Sequence, residues 1–232
     1  MTAADFRDQV IYLDLDNTLI NRGAAFGSWV EHFCLEHQLS EQARTWWLDE
    51  DRDGYRNRLD LAQAATEQWG LTSTPEVLAL AMQRGLVDHL VLEPGVEDGL
   101  QALRAAGFLL AIVTNGGAQQ QRAKVRKLGL DHLVDAVAIS GEVGVAKPDR
   151  EIFVHAAALL NRDLGTGWMV GDSLVHDIKG GRRAGLRTIW VSGGRTQSEV
   201  ADAGRPDLVV NRGADALSVL LHGLGTSDNS AP

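Results

Sequence analysis

Apolar positions along this chain follow two rhythms, and the change between them divides it. Residues 10–13, VIYL, form an unbroken hydrophobic run that ends in two aspartates, Asp14 and Asp16. A run this short, rich in β-branched and aromatic residues, predicts a strand buried on both faces. From residue 21 the spacing becomes helical: Phe26, Trp29, Val30 and Phe33 share one face, as do Val77, Leu78, Ala81 and Met82. No strand pattern interrupts residues 21–92. This stretch reads as a small helical bundle carrying Trp29, Trp46, Trp47 and Trp69, whose helical spacing suits a packed interior better than a stacking platform.

From Pro94 onward helix and strand alternate. Helices are expected over 96–106, 118–128, 149–161, 175–184 and 214–222, and strands over 108–115, 135–140, 167–173, 187–192 and 207–211. Continuous apolar strands between amphipathic helices imply a parallel sheet covered on both faces. Right-handed crossovers make such a sheet doubly wound. The expected architecture is therefore α/β: a Rossmann-like core from residues 1–20 and 93–232, with an all-helical domain inserted at 21–92. The closing GTSDNSAP is polar and expected to fray.

Ligands of such sheets bind beyond the carboxyl ends of the strands. Three expected strands finish in polar groups there: Asp14 and Asp16, Thr114 and Asn115, and Asp172 and Ser173. With Asp177 close behind, four acids converge, and like charges so close cannot all ionise without compensation. A hard divalent cation with oxygen ligands is the natural remedy, and Mg²⁺ suits one or two carboxylates plus waters and a phosphate oxygen. Ser173 serves equally well as a cap for the helix that follows it. Thr114-Asn115-Gly116-Gly117 joins a strand end to a helix start, where free N–H groups and the helix dipole favour phosphate. A turn needs Asn and Gly for its own sake, so this stretch carries weight only in company. Lys147 precedes Pro148, which favours extended backbone, and it sits in a rigid, apolar setting unusual for a solvated lysine.

These residues carry a resemblance. Asp14-Leu15-Asp16-Asn17-Thr18 resembles the first motif of the haloacid dehalogenase-like (HAD) hydrolases, and Thr114 after its apolar strand resembles the second. Lys147 before Pro148 resembles the third motif, and GDSLVHD, 171–177, the fourth. All four occur in order, with 21–92 in the place of that family's helical cap. The resemblance implies that Asp14 attacks phosphorus to give an aspartyl-phosphate. Asp16 then protonates the leaving alcohol and later activates water. Thr114, Asn115 and Gly116 would hold the phosphoryl oxygens while Lys147 neutralises charge. Asp14, the Asp16 backbone carbonyl and Asp172 would bind Mg²⁺, with Ser173 and Asp177 supporting them. Within the family the dehalogenases lack the second aspartate, so Asp16 favours phosphoryl transfer. Residues 21–92 contain no lysine, which removes the Schiff-base members.

The inserted segment contains a false friend. DEDRDGYRNRLD, 49–60, places Asp49, Asp51, Asp53, Gly54 and Asp60 at EF-hand ligand positions, but the last position prefers Glu and Arg56 stands where an apolar residue belongs. Arg56 and Arg58 are candidate contacts for a substrate's anionic remainder, against the plainer reading of a salt-laced helix surface. His176 reads as a solvent-facing helix position.

Bulk properties narrow the partners. A formal net charge of −9 over 232 residues argues against nucleic-acid and anionic membrane surfaces. Any anionic substrate must then be attracted locally. The single cysteine, Cys34, forbids an intrachain disulfide and fits a reducing compartment. No apolar run approaches membrane-spanning length and no signal-peptide pattern opens the chain, so a cytoplasmic location is the default. Oligomeric state leaves no readable signature. The leading expectation is a Mg²⁺-dependent phosphatase of a small phosphorylated metabolite, resembling the phosphoglycolate and nucleotide phosphatase branch. A sugar phosphomutase and a non-catalytic phosphometabolite-binding protein are the alternatives.

Overall fold

The continuous apolar run that opens the chain forms β1 (Val10–Leu13), with all four residues buried. This computed structural model describes residues 9–196 and 204–222. After β1 come four helices, α1 (Arg22–Glu36), α2 (Glu41–Asp51), α3 (Arg58–Trp69) and α4 (Pro75–Asp88). The alternation then begins: α5 (Val96–Ala105), β2 (Leu109–Thr114), α6 (Ala118–Lys127), α7 (Leu130–Leu133) and β3 (Ala136–Ile139). It continues with α8 (Ser140–Val143), α9 (Arg150–Leu159), β4 (Gly167–Gly171), a π-helical turn (Leu174–Lys179) and α10 (Gly180–Arg183). β5 (Arg187–Val191), β6 (Leu208–Val210) and α11 (Gly213–Leu221) complete it. The polar GTSDNSAP lies outside the described residues.

The six strands of the described residues form one sheet in the order β3-β2-β1-β4-β5-β6, parallel throughout. The chain steps outward from β1 to β3, then returns to place β4 on the other side of β1. That reversal opens a crevice at the carboxyl ends of β1 and β4. Leu13 pairs with Val170, and the Asp14 N–H donates to the Val170 carbonyl at 2.9 Å, so the first residue past β1 stays tethered to β4.

Both faces of the sheet are covered. Tyr12, Val113, Ala138 and Met169 pack with Ile152, Phe153 and Ala156 of α9. The rings of Tyr12 and Phe153 meet edge-on at 5.9 Å. The alternate residues Ile11, Leu13, Ile112 and Val170 are buried as well. Side chains alternate across a strand, so a strand covered on both sides reads as an unbroken apolar run.

The chain divides into two compact units, Asn21–Val91 and the residues on either side of it. Each helix of the first unit starts on a side-chain cap, from Asn21, Ser40, Asn57 and Thr74, and Pro75 takes the first position of α4. Trp47 is fully buried, and its ring meets those of Trp29 and Phe33 edge-on at 5.6 Å. Trp46 and Trp69 are half-buried. The buried carboxylate of Asp51 receives both Arg22 and Arg58, whose guanidiniums lie 5.1 and 5.2 Å from the centre of the Phe26 ring. Asp49 and Asp51 belong to α2 and Asp60 to α3, so 49–60 folds as helix, turn and helix instead of a calcium loop. Among the described residues, no helix is long and apolar enough to cross a membrane.

One departure from the sequence pattern bears on the site. The single helix expected at 175–184 is a π-helical turn followed by the short α10. Wide turns of this kind are frequent at functional sites, and this one carries Asp177 inward to 1% exposure.

Candidate active site

Three carboxylates meet where β1 and β4 end. Asp14 follows β1, Asp172 follows β4, and Asp177 arrives from the π-helical turn; one ligand oxygen from each lies within 4.8 Å of the others. Lys147, 3% exposed, sets its ammonium 2.6 Å from Asp14 Oδ1 and 2.7 Å from Asp177 Oδ1. Thr18 donates its hydroxyl to Asp14 Oδ2 at 3.2 Å. Local sequence places Asp177: the Ser173 hydroxyl caps the turn by accepting from the His176 N–H, and the Ser173 N–H donates to Asp177 Oδ2 at 2.9 Å. Gly171 has no side chain, and a methyl group there would overlap the Asp177 carboxyl.

The cluster holds more negative charge than Lys147 can offset. Burial, opposed by Lys147 and reinforced by Asp177 and Asp172, pushes the Asp14 carboxyl up to about 8. Burial and Asp177 likewise push Asp172 up to about 7, against the pull of Arg195, which donates to Asp172 Oδ2 at 3.2 Å. Burial works against the charged form of Lys147, but Asp14 and Asp177 outweigh it and hold the ammonium above its ordinary range. Three acids, Asp14 and Asp177 buried and Asp172 half-buried, offer only oxygen donors and fit a hard divalent cation such as Mg²⁺.

The second strand end departs in part from expectation. Thr114 is buried at the end of β2. Asn115 turns its side chain onto Lys147: Nδ2 donates to the Lys147 carbonyl at 2.9 Å, and Oδ1 accepts from the Lys147 N–H at 2.8 Å. The Gly116 N–H, expected to face phosphate, donates to Ser140 Oγ at 2.9 Å. The reason is local, because β3 stops at Ile139 and α8 starts at once, bringing Ser140 beneath the turn.

Asp16 has partners that the sequence pattern hid. Lys124 Nζ lies 2.7 Å from both oxygens of its carboxylate. Gln121 Nε2 donates to Asp16 Oδ2 at 3.0 Å and to Thr114 Oγ1 at 2.6 Å. Gln121 and Lys124 are 2% and 3% exposed. Their one signal is spacing: with Val125 they occupy the inward stripe of α6, where apolar residues are expected.

Other candidates lie elsewhere. Arg56 pairs with Glu50 and Arg58 with Asp51, so both arginines make ion pairs within the helical unit. His176 is half-buried, not solvent-facing; its Nδ1 lies 3.0 Å from Ser173 Oγ, and burial lowers its pKa.

A family model described as haloacid dehalogenase-like hydrolase matches residues 9–185. The glyceraldehyde 3-phosphate phosphatase of Methanopyrus kandleri is 38% identical over 129 residues, covering 55% of this chain and 55% of that protein. The chain thus spans about half the length of that relative. The pyrimidine 5'-nucleotidase YjjG of Escherichia coli is 30% identical over 195 residues, 78% of this chain and 85% of that protein. Among solved structures, the HAD-hydrolase YfnB of Bacillus subtilis bound to magnesium superposes with a TM-score of 0.77 at 23% identity, over 93% of this chain and 99% of that one. That last likeness is one of fold. The chain belongs to the haloacid dehalogenase-like hydrolase family.

Proposed function

We propose that this protein is a Mg²⁺-dependent phosphatase that hydrolyses a small soluble phosphomonoester through an aspartyl-phosphate on Asp14. The carrying observation is the buried Asp14 carboxylate, 2.6 Å from the Lys147 ammonium and grouped with Asp172 and Asp177 at the carboxyl edge of the sheet. A protein that only bound phosphate would have no use for Asp14 and Asp16 together, since two carboxylates repel the anion.

In this reading an Asp14 oxygen bonds to phosphorus as the ester oxygen departs with a proton from Asp16. Water then attacks the same phosphorus, gives its proton to Asp16 and returns Asp14 to a carboxylate. Lys147 offsets charge on the transferring phosphoryl group and fixes the direction of Asp14, and the Thr114 hydroxyl donates to a phosphoryl oxygen. Asn115 serves by holding the Lys147 backbone. Mg²⁺ would be held by Asp14, Asp172 and the Asp16 carbonyl, with Asp177 braced behind them, and its charge would stabilise the phosphoryl oxygens. The names of the relatives point to phosphorylated metabolites of triose or nucleotide size, and we extend that class to this chain.

The test is a panel of such metabolites assayed for phosphate release with and without Mg²⁺. We expect Mg²⁺-dependent release that disappears in Asp14→Asn while circular dichroism stays unchanged. Near-normal turnover by Asp14→Asn overturns the assignment. Return of the phosphoryl group to a sugar hydroxyl in place of water would replace it with a mutase.

A further inference from the structure

We propose that Gln121 and Lys124, one turn apart on α6, are positioning residues that aim the Thr114 hydroxyl at the phosphoryl group and pin the Asp16 carboxylate beside it. The inference rests on the phosphatase reading above and extends it to two residues with no role there.

Hydrogen-bond directions follow from the chemistry of the groups. Gln121 turns its NH₂ group, which can only donate, toward Asp16, with Nε2 3.0 Å from Oδ2. The same nitrogen lies 2.6 Å from Thr114 Oγ1, which must therefore accept as well. With a lone pair so engaged, the hydroxyl must spend its proton elsewhere. Its partner in the structure is the Asn115 carbonyl at 3.5 Å, a contact at the outer limit of hydrogen bonding that a phosphoryl oxygen readily replaces. Gln121 thus turns a group of either polarity into a donor, which is what an anion requires.

Asp16 gains a fixed address by the same device. One nitrogen bridges Oγ1 of Thr114 and Oδ2 of Asp16, so the carboxylate stands two hydrogen bonds from the phosphoryl-binding hydroxyl. The Asp16 side chain keeps 24% of its surface exposed and, unpinned, would sample several rotamers. Lys124 closes on both of its oxygens from the buried side. A proton carrier held in place loses little entropy in the reactive geometry. Room for the bridge comes from Gly116, at φ +145°, where a Cβ would meet Gln121 at 3.0 Å.

The test compares kcat/KM for p-nitrophenyl phosphate and for an alkyl phosphate from the panel, at saturating Mg²⁺. This ratio reports steps through departure of the leaving group, and an aryloxide departs without the proton that an alkoxide needs. Lys124→Met should lower the alkyl value at least about tenfold more than the aryl value, and Lys124→Arg should recover most of the difference. Gln121→Leu should slow both substrates, yet add less than about twofold when built into Thr114→Val. Equal losses on both substrates in Lys124→Met, no recovery in Lys124→Arg, or full multiplication of Gln121→Leu with Thr114→Val each overturn the proposal. If Lys124→Met does not fold, Lys124→Gln decides: a loss larger on the alkyl than on the aryl phosphate supports the proposal and equal losses overturn it. A parent protein inactive on every ester removes the phosphatase reading and this proposal with it, whereas an active parent with undifferentiated variants removes this proposal alone.

Discussion

Asn115 grips the Lys147 backbone on both sides, donating to its carbonyl at 2.9 Å and accepting from its N–H at 2.8 Å. The position of the buried ammonium is thus set from another strand end, 32 residues away in sequence. Asn115→Ala leaves two backbone groups without these partners, which costs about 1–3 kcal/mol by thermal unfolding. A lysine displaced by a fraction of an ångström should also lower turnover by about 10- to 100-fold. Parent-like melting and turnover together would refute the coupling.

Lys147→Met separates charge from catalysis. Without the ammonium, turnover should fall at least about 100-fold, the usual scale for losing one preorganised charge stabiliser. Three acids would then keep Arg195 beside Asp172 but lose the cation between Asp14 and Asp177, so a divalent cation should bind more tightly than in the parent. Calorimetric titration with Mg²⁺ reads this directly, and weaker binding in the variant would contradict the charge balance described here.

Acidity gives a third expectation. Asp14 is pushed up to about 8 and Asp172 up to about 7, whereas an unfolded aspartate titrates at about 3.9. Well below about pH 4 both states are protonated and nothing differs. Between about pH 4 and 8 the unfolded chain releases protons that the folded site retains, so metal-free stability falls as pH rises and then levels. Mg²⁺ needs the ionised acids, so its binding strengthens over the same interval. The Mg²⁺-induced rise in Tm should be small near pH 6 and reach several degrees near pH 8.5. Equal rises at both pH values would sink this account.

The two arginines that meet Asp51 in the helical unit, Arg22 buried and Arg58 half-buried, set a fourth. Burial works to raise the Asp51 pKa, but Arg22 and Arg58 outweigh it and hold the carboxyl below its usual range. Its stabilising contribution is therefore present above the ordinary carboxylate pKa and lost as pH falls through the lower, folded value. Asp51→Ala strands two guanidiniums on the Phe26 ring and should destabilise this unit by about 3–5 kcal/mol. Hydrogen exchange in 21–91 measures it; protection equal to the parent's would show that the cluster holds nothing together.

Much of the candidate site was legible because parallel sheets put polar groups at strand ends. Asp14, Thr114 and Asp172 each follow an apolar run, and one topological rule gathers all three. Lys147 drew notice because Pro148 and the apolar context are unusual around a solvated lysine, though a lysine by itself is most often a surface charge. Gln121 and Lys124 escaped because AQQQRAKVRK is so polar that its inward stripe cannot be told from its outer face. The Gly116 N–H escaped because its partner, Ser140, depends on a helical turn that starts one residue after β3 ends. The π-helical turn is a matter of backbone hydrogen bonding, to which side-chain periodicity is nearly blind. What sequence missed is tertiary: polar residues whose partners are distant in the chain.

Gly171 offers the sharpest probe of that tertiary layer. It ends β4 immediately before Asp172, and a methyl group there would overlap the Asp177 carboxyl. Backbone in a strand cannot yield easily, so the carboxylate must move, leaving the Lys147 ammonium and the Ser173 N–H. Overpacking of this kind costs about 1–3 kcal/mol. Gly171→Ala should therefore melt earlier and lose activity by about tenfold or more as Lys147 loses one of its two anchors. The direct route from methyl to carboxylate is tested by a second variant. In Asp177→Ala the clashing group is already gone, so adding Gly171→Ala should cost almost nothing further in Tm or turnover. If the two losses instead add in full, the glycine acts through the strand itself, and its role in seating Asp177 is wrong.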